Sequence, residues 1–62
     1  MPFVSVKLLQ GRTTEQKQEL ARRITEDVVE VLKTSPEAVW VTFEELPADD
    51  WIVAGKPLSA PK

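Results

Sequence analysis

The sequence predicts an α+β protomer, built on a single βαβ unit, that associates with further copies. Three observations carry this reading: an alternating apolar run from Phe3 to Leu9, a long helical stripe behind the pair Thr13 and Gln16, and a second alternating run from Val39 to Leu46. Strand, helix, strand in that order makes the strands parallel and the crossover right-handed. Association follows from size. A chain of 62 residues is one domain, 1–62, and buries only about 60% of the surface its unfolded form exposes. With no Cys and no His, it lacks the disulfide or ordinary Zn site that rescues many small folds.

In the first run, Ser5 and Lys7 share one parity and Val4, Val6 and Leu8 the other, the pattern of a half-buried strand. Gly11 breaks it. Thr13 with Gln16 three positions on forms a capping-box pair that satisfies the first free helical N–H groups. Leu20, Ile24, Val28, Val31 and Leu32, widened by Ala21, then mark an apolar face on a helix from about Thr14 to Lys33. The opposite face is charged, and Glu19 with Arg23, Arg22 with Glu26 and Arg23 with Asp27 are spaced to pair along it.

Ser35-Pro36-Glu37 signals one short helical turn, since proline at a first helical position loses an N–H that had no partner anyway. In the second strand, Val39, Val41 and Phe43 take one side and Trp40, Thr42, Glu44 and Leu46 the other. Glu44 and Glu45 are neighbours on a strand and so face opposite ways; they cannot share a proton and read as surface or subunit-contact residues. Pro47-Ala48-Asp49-Asp50 is a turn, and Gly55 a turn or hairpin glycine. The stretch from Trp51 to Pro57 is too short for another core element and too apolar for a free tail. One helix cannot cover both faces of the sheet, so the bare face and the apolar tail both call for neighbouring subunits.

Composition narrows the chemistry. Without Cys or His there is no thiol nucleophile, no imidazole base and no His-dependent triad, which leaves carboxylates, Lys, Arg or an amino terminus. Eight basic and ten acidic side chains, a net charge of −2 with the signs interspersed, offer no basic stripe for nucleic acid. Apolar stretches fall far short of the ~20 residues a bilayer requires, and no leader pattern is visible, so the expectation is a cytoplasmic chain without a membrane role.

Pro2 stands directly behind Met1, an awkward start for a strand because proline donates no ladder hydrogen bond. Removal of the methionine would make it a secondary amine. An α-amino group titrates near 7.7–8.0, and apolar walls or cationic neighbours lower that value. Such a nitrogen is a general base at neutral pH.

Four stretches together are specific: Pro2 after Met1, the run V-K-L-L-Q-G-R-T-T-E-Q-K, E-E-L closing the second strand, and the tail W-I-V-A-G-K. With them the chain resembles the tautomerase superfamily, and within it the short-chain 4-oxalocrotonate tautomerases, over nearly its whole length. The resemblance implies a βαβ unit with a terminal hairpin, dimers that join their sheets, and a homo-hexamer made as a trimer of dimers. It implies no cofactor and no metal, and a small enol or keto acid as substrate. Pro2 would carry a proton between the hydroxyl and a carbon of a 2-hydroxydienoate or aryl enolpyruvate. Arg12, contributed by a neighbouring subunit, would grip a substrate carboxylate. Trp51 would be the aromatic wall that keeps the site dry.

One departure bears on the substrate. Where 4-oxalocrotonate tautomerase carries a second arginine, this chain has Trp40, whose indole N–H offers one hydrogen bond but no charge. Either the preferred enol has a single carboxylate and lies against Trp40 and Trp51, or another subunit supplies the missing cation; the first is preferred. Three other readings compete. A dehalogenase or hydratase of the same superfamily needs a water-activating acid, and W-I-V-A-G provides none, with only Asp49 and Asp50 upstream. A non-catalytic assembly module would follow from retention of Met1. A ribbon-helix-helix DNA binder expects a basic strand and a second helix, neither of which is visible.

Overall fold

The computed structural model describes residues 1–60. Its elements are β1 (Phe3–Leu9), α1 (Thr14–Leu32), a 3-10 turn at Pro36–Ala38, β2 (Trp40–Leu46), a second 3-10 turn at Ala48–Asp50, and the short strands β3 (Ile52–Val53) and β4 (Lys56–Pro57). β1 and β2 pair in parallel from Phe3 opposite Trp40 to Leu9 opposite Leu46. The βαβ unit is therefore as the patterning predicts.

Parity is also borne out. Val4, Val6 and Leu8 on β1, and Val41, Phe43 and Glu45 on β2, are half-buried, while Phe3, Ser5, Lys7, Trp40, Thr42 and Glu44 stand exposed. α1 covers the first set. It begins with the expected capping box: the Gln16 N–H donates to Thr13 Oγ1 and the Thr13 N–H to Gln16 Oε1, each at 3.0 Å. The helix stops at Leu32, one residue before the expected end, because Lys33, whose N–H still makes the last helical bond to the Val29 carbonyl, turns into the left-handed region at φ 57°. Val39 likewise falls outside β2, since its N–H is spent on the Pro36 carbonyl.

The helical stripe is corrected in detail. The half-buried helical residues include Lys17, Ala21, Ile24, Val28 and Val29, whereas Leu20, Val31 and Leu32 are exposed. The 3.6-residue period makes a stripe wider than a two-stranded sheet can cover. Along the outer face, Arg22 binds both Glu19 and Glu26, and Arg23 Nε donates to Glu19 rather than reaching Asp27.

After β2, the tail folds into an antiparallel hairpin, with Ile52 opposite Pro57 and Val53 opposite Lys56. Ala54 and Gly55 link its strands with φ of 53° and 78°, the double positive pattern of a type I′ turn. No helix among the described residues is long and apolar enough to cross a membrane.

This protomer is far from self-contained. Among the described residues none is fully buried. Its radius of gyration is 15.0 Å, against about 10–11 Å for a compact chain of this length. Its accessible surface is 5004 Å², about 1,000 Å² above the norm for a 7.0 kDa monomer.

Candidate active site

Parallel pairing sorts the four candidate residues by strand end. Pro2 and Trp40 stand at the starts of the two strands, and Arg12 and Trp51 follow their ends. At roughly 3.3 Å per residue, the seven-residue ladder puts about 20 Å between the two groups. One protomer cannot bring Pro2 and Arg12 to a single small substrate.

At the first end, the Pro2 carbonyl accepts a hydrogen bond from the Trp40 N–H at 3.0 Å. That bond extends the ladder one step beyond Phe3 and fixes the proline backbone. Pro2 itself is half-buried, and Met1 in front of it is 88% exposed. While Met1 is attached, the proline nitrogen is a tertiary amide without basicity; trimming converts it to an amine whose position the Trp40 bond already sets. The Trp40 side chain turns away from α1, 53% exposed, and its ring packs on Phe3 with centroids 6.3 Å apart at 47°. Trp40 meets Pro2 through that backbone hydrogen bond.

The second end is built around Gly11. Its φ of 118° is closed to ordinary side chains and turns the chain from β1 into α1, just after the Gln10 N–H has made a last bond to the Leu46 carbonyl at 3.0 Å. Arg12 follows, exposed, in a cleft of about 240 Å³ that it lines with Leu8, Gln16, Lys17 and Leu20. Trp51 is half-buried beyond the second 3-10 turn, and its carbonyl accepts from the Leu58 N–H at 3.0 Å, closing the base of the hairpin. Ser59 Oγ ties the same region down by donating to Asp49.

Two residues of this end escaped sequence reasoning. Lys17 forms an ion pair with Glu45, their side chains only 24% and 29% exposed, so Glu45 is a strut between α1 and β2 and not a plain surface group. Glu44, on the other face, is exposed and lies 4.0 Å from Lys7. The signal was present in the spacing. Lys17, Ala21, Ile24 and Val28 share one helical face, and strand parity puts Glu45 on the side of Phe43, which places a cation and a carboxylate on facing inner surfaces.

Electrostatically, the strongest perturbation lies elsewhere, on the outer face of α1. The Arg22 and Arg23 guanidinium groups hydrogen-bond to Glu19 and lower its carboxyl to about 2, while Glu19 in turn raises Arg22. This network is solvent-exposed and supports the helix. Among the described residues no three carboxylate, Cys or His side chains gather as metal ligands.

Comparison with known proteins gives consistent relatives. The family model for tautomerase enzymes matches residues 2–60. The chain is similar to the 2-hydroxymuconate tautomerase of Bacillus subtilis, 49% identical over 59 residues that make up 95% of each protein. Among solved structures, a 4-oxalocrotonate tautomerase homologue superposes with a TM-score of 0.92 at 46% identity, covering 98% of this chain and 100% of that one. A heterohexameric 4-oxalocrotonate tautomerase from Chloroflexus aurantiacus gives 0.93 at 29% identity, with both chains fully covered.

Proposed function

The chain belongs to the tautomerase family and is an isomerase of keto-enol type; from that premise we propose that its catalytic base is Pro2, freed by removal of Met1. The observation that carries this is Pro2 held at the head of β1 by the Trp40 N–H, behind an exposed Met1.

The nitrogen takes the proton from the enol hydroxyl, the C=C–OH system becomes C–C=O, and the same nitrogen returns the proton to carbon. One base serves both ends, so neither a cofactor nor a metal enters. For this the amine must be neutral when substrate arrives. Lowering its pKa by about one unit costs only ~1.4 kcal/mol, and the half-burial of Pro2 works in that direction. Arg12 binds the substrate carboxylate through a forked pair of hydrogen bonds and draws electron density as the proton moves. Trp51 walls the site from water.

The 20 Å ladder between Pro2 and Arg12 supports a site shared between subunits, and so does the surplus surface, which is the size of one partner's share of an ordinary interface, about 800 Å². The assembly is a homo-hexamer of cytoplasmic single-domain chains; the Chloroflexus aurantiacus relative is a heterohexamer, which supports the number of subunits but not their being identical. Substrates are 2-hydroxydienoates or aryl enolpyruvates. The Bacillus relative is named for 2-hydroxymuconate, whereas Trp40 favours an enol with one carboxylate lying on its ring.

Intact mass of the purified chain, followed by ketonisation rates for phenylenolpyruvate and 2-hydroxymuconate, tests the proposal. Loss of Met1 and a drop of a hundredfold or more in Pro2→Ala are expected. Undiminished rates in that variant, or full activity with Met1 in place, would remove proline catalysis. Exclusive turnover of 2-hydroxymuconate would reverse the preference for one carboxylate.

A further inference from the structure

The cleft that contains Arg12 holds a second cation. Lys17 lies one turn into α1, roughly 5 Å beyond the helix start, and lines the same 240 Å³ space with Leu8, Gln16 and Leu20. Its charge is already matched by Glu45, reached across from β2. Gln16 is also occupied, its side-chain oxygen accepting the Thr13 N–H. Among the described residues Arg12 makes no ion pair, and it is the one uncompensated cation of the lining. A cation this close could hold the second carboxylate of a diacid if its partner were taken away.

We propose that Glu45 is a specificity-determining residue that masks Lys17, so that the cleft presents one free positive charge and selects enols with a single carboxylate. This rests on the reading of Arg12 as the carboxylate anchor, and it deepens that reading. The physical basis is local neutrality. A partly buried ion pair is screened less by solvent than an exposed one, and removing one partner leaves the other as an unmatched charge facing the cleft. Unmasking Lys17 would do from α1 what a second arginine would do from the position of Trp40.

The test is equilibrium binding, which does not depend on turnover. The ¹⁵N-labelled protein in its native assembly is titrated with 3-phenylpropanoate, carrying one carboxylate, and with cis,cis-muconate, carrying two; the Arg12 N–H shift gives the ratio of dissociation constants. Glu45→Gln should move that ratio about tenfold toward muconate, the effect of one unscreened charge several ångströms away. Lys17→Met should move it the opposite way, because Glu45 is then the unmatched group. Glu45→Asp and the double change Lys17→Met with Glu45→Leu should return the wild-type ratio, and the double variant decides the matter if Glu45→Gln does not fold. A ratio unmoved by both single changes, or moved in the same direction by both, overturns the inference. So does a wild-type enzyme that ketonises enols while neither acid shifts Arg12, an outcome that leaves Pro2 catalysis intact. Shifts at Arg12 without any ketonisation would instead remove the catalytic reading alone.

Discussion

Two inactive variants should restore each other, and the length of the β1–β2 ladder sets how far. Pro2→Ala removes the proposed imino base, for which general acid–base losses run to about 10²–10⁴-fold. Arg12→Ala removes two charge-assisted hydrogen bonds worth together about 3 kcal/mol, or roughly a hundredfold. Pro2 and Arg12 lie about 20 Å apart along the seven-residue ladder, so each site must draw them from different protomers. When equal amounts of the two variants are unfolded together and refolded as mixed oligomers, about one quarter of the sites unite an intact Pro2 with an intact Arg12 from a neighbour. Sites within single protomers would contain none. The assay is the absorbance decay of phenylenolpyruvate or 2-hydroxymuconate, with each variant refolded alone as its baseline. Recovery near a quarter of wild-type activity is expected from parents at about 1% or less. A mixture no more active than the mean of its parents refutes the shared site.

Other consequences follow from the same geometry. Because no described side chain is fully buried in the protomer, stability must depend on association; hundredfold dilution should lower the melting temperature by several degrees in calorimetry or fluorescence, and a concentration-independent midpoint would contradict this. Ala54 occupies a left-handed position at φ 53°, which costs a side chain with a Cβ about 1 kcal/mol. Ala54→Asn, the residue that type I′ turns prefer before glycine, should stabilise the protein by about 0.5–1 kcal/mol in urea titration, and a loss of stability would show that the turn is wrongly identified. The Glu19 carboxyl, held near 2 by Arg22 and Arg23, has a folded value below its unfolded one. Its contribution is therefore complete above about pH 4.5 and is lost as pH falls toward 2. A ¹³C titration should give that low midpoint, with Arg22→Ala moving it upward; an ordinary midpoint in the native protein would exclude the network.

Strand parity, the capping box and the parallel order of β1 and β2 were legible because each depends on residues close in sequence, and a period of 2 or 3.6 converts directly into a covered face. Boundaries were less so. Val39 fell outside β2 because its N–H went to Pro36, and Lys33 fell outside α1 because its backbone turns left-handed at φ 57°, choices that side-chain type does not reveal. Pro2, Arg12, Trp40 and Trp51 were picked out through their resemblance to a family, not through periodicity. The Lys17–Glu45 pair was missed, although both halves lay on predicted inner faces, because which residue of a helix meets which residue of a strand depends on how far the helix slides along the sheet.

By itself, the sequence determined that this chain folds as strand, helix and strand, and it pointed to association and to a proline behind the first methionine as the proposed base. Those properties are local or additive, set by composition and by spacing within one element. Only the tertiary structure decided that the Trp40 N–H holds the Pro2 carbonyl, that Trp40 rests on Phe3, and that Glu45 neutralises a cation beside Arg12. Register and helix placement arise from packing contacts summed over many residues far apart in the chain, and no single stretch of sequence encodes that sum.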